Sequence, residues 1–202
     1  MIDVFLSASV PLPTRNPLFF ETANVPAIRE AVKALVEVVL PIGRITFGGH
    51  PAITPMIDFF VREDDLPRDR LTIFQSRFFE GMFPKENVEF HDVRVIEAVD
   101  KNLDLSLLRM RTEMINSRPF GAAVFIGGME GIEEEAKLFA DLKPNAILLP
   151  IASTGAAAAQ LFHRGAYPPE LKTELTYVTL FRRRLVLAAR GEPDRYGLAQ
   201  GD

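Results

Sequence analysis

The chain contains no cysteine. Disulfides, thiolate metal sites and cysteine nucleophiles are thereby excluded, and redox chemistry says nothing about the compartment. Histidine is almost as scarce. His50, His91 and His163 are scattered, and none forms the HxxH or HxxxH spacing that sets two imidazoles on one helical face, so no metal site is expected. No GxSxG, Walker A or complete GxGxxG stretch occurs, which argues against a serine hydrolase, a P-loop phosphotransferase and a standard dinucleotide dehydrogenase; no cofactor is implied. Long apolar runs are missing too. The weakly polar run 146–159 contains Pro150, Ser153, Thr154 and Gly155 and is too short to span a bilayer. Residues 1–13, MIDVFLSASVPLP, lack a basic segment and carry Ser7 and Ser9 inside the apolar run, so they read as a strand rather than a signal peptide. A cytoplasmic protein without a membrane partner is the expectation. A net charge of −4 argues against non-specific binding to nucleic acid or anionic membrane.

What remains is ordinary globular composition, 48% hydrophobic and 25% charged over 202 residues, with no internal repeat or low-complexity segment. A chain of this length forms one domain that buries roughly 70% of its unfolded surface. Residues 1–190 are assigned to it, and residues 191–202 read as a disordered tail.

Residues 121–139, GAAVFIGGMEGIEEEAKLF, read as a buried strand, a glycine turn and an amphipathic helix. Ala122 to Ile126 is almost wholly apolar, as suits a strand covered on both faces. After Gly131, the apolar residues Ile132, Ala136, Phe139 and Leu142 recur at helical spacing. A glycine turn lets backbone approach a ligand closely, and the first turn of a helix offers unpaired N–H groups with roughly half a positive charge behind them. Gly127, Gly128, Met129, Glu130 and Gly131 are therefore candidate ligand residues. Glu130 must point away from a phosphate or meet ribose hydroxyls or an ammonium instead.

The rest of the chain alternates in the same manner. Apolar strands are expected at Ile2 to Ser7, Arg44 to Phe47, Leu71 to Phe74, Val88 to Val93 and Ala146 to Ile151. Helices are expected from Asn24 and Pro26 onward, over about Ala52 to Arg62 and Leu103 to Asn116, and after Gly155, where Ser153 or Thr154 supplies a cap. One or two helices follow Pro169. The conformation of Phe78 to Phe83 stays open. This pattern predicts an α/β fold, Rossmann-like and doubly wound, with a mostly parallel sheet of about six strands and helices on both faces. Such sheets bind ligands at the carboxyl ends of their strands, where strand order reverses. Three strand ends are rich in small residues: Ser7, Ala8 and Ser9; Gly48 and Gly49, followed by His50; and Gly127 and Gly128. Thr154 sits at a fourth. Together they point to one crevice.

Three segments resemble the SLOG superfamily, the Rossmann-like domains that include the Lonely Guy phosphoribohydrolases and the Smf/DprA proteins. VFLSAS at 4–9 resembles the VFCGSS opening of Lonely Guy proteins, and TFGGH at 46–50 resembles their second glycine loop. Those proteins also carry an arginine-bearing helix, then a strand, then PGGxGTxxE. Counting back from the glycines puts the arginine on Arg111 and the glutamate on Glu134 or Glu135, depending on whether Glu130 is an insertion. Ile126 stands at the proline position and Ile132 at the threonine. The resemblance implies a site for a nucleotide or NAD-derived ligand, sensed or processed in a prokaryotic conflict or signalling system. Gly48, Gly49, Gly127 and Gly128 would offer N–H groups, and Arg111, with Arg109 near it, would supply positive charge. It also implies an alternative activity, hydrolysis of the N-glycosidic bond of a nucleoside monophosphate by Arg111 with Glu134 or Glu135. A third reading is an interaction module whose terminal helix makes a subunit contact, as in a homodimer.

Overall fold

The structure, a computed structural model, describes residues 1–187. The expectation for residues 191–202 lies outside them, as do residues 188–190 of the assigned domain.

Six strands form one sheet: β1 Ile2–Ser9, β2 Gly43–Gly48, β3 Leu71–Ser76, β4 Asp92–Ile96, β5 Ala122–Gly127 and β6 Ile147–Ile151. Their order is β4-β3-β2-β1-β5-β6, and every neighbouring pair is parallel. The chain therefore builds outward from β1 in one direction, then crosses to β1's other edge at β5. That reversal is the topological switch point where an open parallel sheet leaves a crevice.

Period-two alternation sorts the sheet's side chains between two cores. Val4, Leu6, Phe47 and Val124 face the layer formed by α2 (Val25–Val39), α3 (Thr54–Glu63) and α8 (Tyr177–Phe181). Phe5, Phe74, Ala123 and Phe125 face the opposite layer, made by α4 (Leu103–Asn116), α5 (Glu130–Leu142) and α6 (Ala156–Arg164). Both faces of β5 are covered, so all six of its residues are buried. This is why its sequence is a continuous apolar run rather than an alternating one.

Helix α2 illustrates packing overriding propensity. It contains Ile28, Val32, Val36 and Val39, β-branched residues that weaken an isolated helix. All four are fully buried against the sheet, each contributing about 1.5–3 kcal/mol of gross burial energy, far more than the few tenths lost to propensity. Its start is fixed by the expected device: Asn24 accepts the Ala27 N–H at 3.1 Å, with Pro26 in the first turn.

Several local expectations are corrected. Helix α1 (Pro17–Thr22), started by the Asn16 side chain, was not anticipated. The strand placed at Val88 to Val93 is β4, four residues later. Lys85–Glu89 is instead a tight helical turn in which Asn87 N–H reaches the Pro84 carbonyl and Phe90 N–H reaches the Asn87 carbonyl, and His91 falls just before the strand. The open aromatic segment is a pair of tight turns over Arg77–Met82, opened by Ser76 accepting the Phe78 N–H. Neither Ser153 nor Thr154 caps α6, whose start is Gly155. The end of the described chain folds as α7 (Glu170–Thr173), α8 and a widened turn over Arg182–Leu187. There Tyr177, Leu180 and Phe181 close over α2, and Arg184 pairs with Glu170.

Candidate functional site

At the carboxyl ends of the strands lies a cleft of about 390 Å³. Ser7, Ala8 and Ser9 of β1, Gly48 at the end of β2, and Gly49 and His50 just after it line the cleft. Gln75 and Ser76 end β3, with Phe79, Met82 and Pro84 beyond them. Helix α4 contributes Leu107, Met110 and Arg111 to one wall, and the start of α5 contributes Met129, Gly131, Ile132 and Glu135. Leu12 and Arg15, from the loop after β1, complete it. Of the small-residue strand ends expected to meet, those of β1 and β2 share this cleft. Gly127, Gly128 and Thr154 do not line it.

Local hydrogen bonding explains the difference. Gly127 and Gly128 have φ of +60° and +82°, a left-handed turn that any Cβ would strain. Added Cβ atoms would lie 2.4 Å from Ile28 Cδ1 and 2.0 Å from Ile132 Cδ1. The turn's amides are consumed within the protein. Gly127 N–H donates to Thr154 Oγ1 at 2.9 Å, Gly128 N–H to the Ser9 carbonyl at 2.9 Å, and the Thr154 hydroxyl donates onward to the Ile151 carbonyl at 2.5 Å. The second loop is similar. Gly49 N–H donates to the Phe74 carbonyl at 2.9 Å and His50 N–H to Thr54 Oγ1 at 3.1 Å. The expected phosphate cradle of N–H groups from Gly49, Gly127 and Gly128 is therefore corrected: these amides stitch neighbouring strand ends together. Thr154, completely buried, is a brace beneath the turn.

Charge in the cleft comes from side chains. Arg111, 11% exposed, donates to Glu134 at 2.5 Å and to Glu135 at 3.2 Å, joining α4 to α5 across the cleft wall. Glu134 and Glu135 differ in setting. Glu135 is 15% exposed and lines the cleft, whereas Glu134 is 64% exposed and outside it. The guanidinium lies over Gly131, where a Cβ would come within 2.9 Å of Nη2. Arg109 pairs instead with Glu113 on the exposed face of α4. Glu130 turns out of the cleft: its carboxylate accepts from Asn16 Nδ2 at 2.7 Å, which, with its own backbone N–H, holds its pKa below the usual carboxylate range. Arg15, next to Asn16, has no ion pair among the described residues.

His50 is set as a neutral group. Burial first, and the charge of Arg15 second, lower its pKa to about 4. Its Nδ1 accepts the Ala52 N–H at 3.1 Å, so at neutral pH the proton resides on Nε2, a donor with no acceptor among the described residues. Arg15, Gln75, Phe79 and Met82 were not identified from sequence. A third strand ended at Phe74 hid Gln75; running it to Ser76 would have put Gln75 at a carboxyl end, where ligands bind. No group of three or more His, Asp or Glu side chains that could hold a metal ion occurs among the described residues, and no described helix is long and apolar enough to cross a membrane.

The sheet order and the cleft at its switch point define a Rossmann-like α/β protein. Within that class the chain belongs to the SLOG cluster3 family, whose family model matches residues 18–185. The X-ray structure of TM1055, a structural-genomics target, has a similar fold: TM-score 0.53 and 13% identity, with 81% of each chain covered. No curated protein matches the chain in sequence.

Proposed function

We propose that the cleft binds a nucleotide or NAD-derived ligand, and that the protein senses such a molecule in the cytoplasm as part of a prokaryotic conflict or signalling system. One observation carries the binding: a single cleft is lined by two arginines, Arg15 and Arg111, by the small residues Ser7, Ala8, Ser9, Gly48 and Gly49, and by the apolar Phe79, Met82 and Pro84. Phosphate, ribose and base need those three environments. An arginine fork meets phosphate oxygens in pairs, small side chains leave room for a sugar, and an apolar wall accepts a ring face. The volume of about 390 Å³ falls within the range of small-ligand sites.

The test is a thermal-shift screen with nucleoside monophosphates, NAD and ADP-ribose. A ligand at 100 times its Kd stabilises the native state by about 2.7 kcal/mol, a rise of roughly 5–10 °C for a domain of this size. Absence of any shift at millimolar ligand overturns the proposal.

The pairing of Arg111 with Glu135 in the cleft wall favours a second reading, N-glycosidic hydrolysis of a nucleoside monophosphate. The Glu135 carboxylate would stabilise positive charge as the bond from C1′ to the base breaks; water would add its oxygen to C1′ and its proton would go to the leaving base. Chromatography after incubation separates the two readings, since only the second releases free base.

A further inference from the structure

One arm of the chain is apolar and yet buries nothing. Residues 77–89 include Phe78, Phe79, Met82, Phe83, Pro84 and Val88, but none of the arm's side chains is buried, whereas Ser76 before it and Phe90 after it are. Met82 is 63% exposed and lines the cleft with Phe79 and Pro84. The arm is tied at its two ends. Arg77 donates to Glu97 at 2.8 Å at one, and Arg68 donates to the Glu89 carbonyl at 3.0 Å at the other. Between these ties, among the described residues, no side chain from Phe78 to Pro84 makes a hydrogen bond or ion pair outside the arm: Glu80 pairs with Arg77, and the Phe78 ring packs on that of Phe79. Segments with few buried contacts at the rim of a binding cleft are those that open and close.

The loop after β1 presents a counterpart. Leu12 is 52% exposed and lines the same cleft. In the sheet β1 and β3 flank β2, so the exits of β1 and β3 stand two inter-strand steps, about 10 Å, apart. Between them β2 leaves through Gly48 and Gly49, which carry no side chain to obstruct an approach. Gly81, at the tip of the arm beside Met82, has a φ outside the left-handed region, and a Cβ on it would meet nothing within 4 Å. The arm as it lies would accept alanine there, so the glycine serves a second position of the arm.

We propose that residues 79–84 are a flap, open in this structure, that folds over an occupied cleft about Gly81 and brings Met82 against Leu12; the inference rests on the cleft being a ligand site. Apolar surface that both side chains show to water is buried in the closed form. With no guest, closure would leave a gap beneath the arm. A ligand fills that gap and adds its own contacts, so binding favours the closed form. Closure keeps solvent from the ligand and slows its escape.

Hydrogen-exchange mass spectrometry and surface plasmon resonance on the full chain, with AMP, NAD and ADP-ribose as probes, test this by comparing wild type with Gly81→Ala. In wild type, bound ligand is expected to slow amide exchange of residues 79–83 by about tenfold. Gly81→Ala is expected to melt no lower than wild type, because the open arm has room for the methyl group. It should associate with ligand at the wild-type rate, release it about tenfold faster and show little protection of residues 79–83. A rigid apolar wall would give wild-type release in this variant, since Gly81 does not line the cleft. Unchanged exchange in wild type carrying a ligand that calorimetry shows to be bound overturns the flap and leaves binding standing. So does a Gly81→Ala variant that protects the arm and holds ligand as wild type does. If none of the three binds, the reading of the cleft as a ligand site fails and the flap with it.

Discussion

Replacing Thr154 by valine tests whether the turn after β5 is built for the fold or for a ligand. The change is nearly isosteric, but the hydroxyl it removes joins Gly127 N–H, at 2.9 Å, to the Ile151 carbonyl, at 2.5 Å, in a completely buried setting. An amide left without an acceptor costs about 1–3 kcal/mol, and loss of the second hydrogen bond adds about 0.5–1.5 kcal/mol. The added methyl returns up to about 0.8 kcal/mol. The net expectation is a destabilisation of about 1–3 kcal/mol. At roughly 2–4 °C per kcal/mol, the melting temperature falls by about 3–10 °C in scanning calorimetry, and the urea midpoint falls with it. Thr154→Ser keeps the hydroxyl and should lose less than half as much. Ligand affinity well below the melting temperature should match wild type, because Thr154 lies outside the cleft. A valine variant within about 0.5 kcal/mol of wild type would refute the bracing role, and a selective loss of binding at unchanged stability would refute the placement of Thr154 behind the turn.

Gly128→Ala should lower the melting temperature as well as weaken binding: φ of +82° strains any side chain by about 1–3 kcal/mol, and the new Cβ meets Ile132. A variant that loses binding at full stability would contradict this. Glu134→Gln should change stability and binding little, since the exposed end of the ion-pair network is weak. Glu135→Gln should disturb both, and the opposite ranking would move the site. Stability should depend on pH through His50. The native state holds it neutral down to about 4 whereas the unfolded chain protonates near 6.5, so its contribution is complete above about 6.5 and is lost as pH falls towards 4, by at most about 3 kcal/mol. Urea melts of wild type and His50→Gln should differ in pH slope between pH 6.5 and 5; identical slopes would refute it.

The architecture was legible because apolar strand runs alternate with helical spacing along the chain, and β5 is apolar on both faces: Ala122 to Ile126 can be little other than a covered parallel strand. Arg111 and its glutamates were legible through resemblance, and α4 and α5 bring them together. The cleft's apolar end was not, because Phe79 and Met82 sit on tight turns, whose short hydrogen-bonded rings leave no hydrophobic period to read. The turn glycines misled for a different reason. A sequence shows that backbone can approach closely there, but not which acceptor its N–H has already found, and Thr154 and Ser9 meet it only in three dimensions.

Most of the glycine-loop amides at the strand ends are spent on internal hydrogen bonds, so the polar character of the cleft comes from side chains such as Gln75, Arg15 and His50. Each can be altered by a codon change or two without disturbing those bonds. A lineage carrying this scaffold can accordingly change the chemistry of the cleft by drift and selection at a few positions.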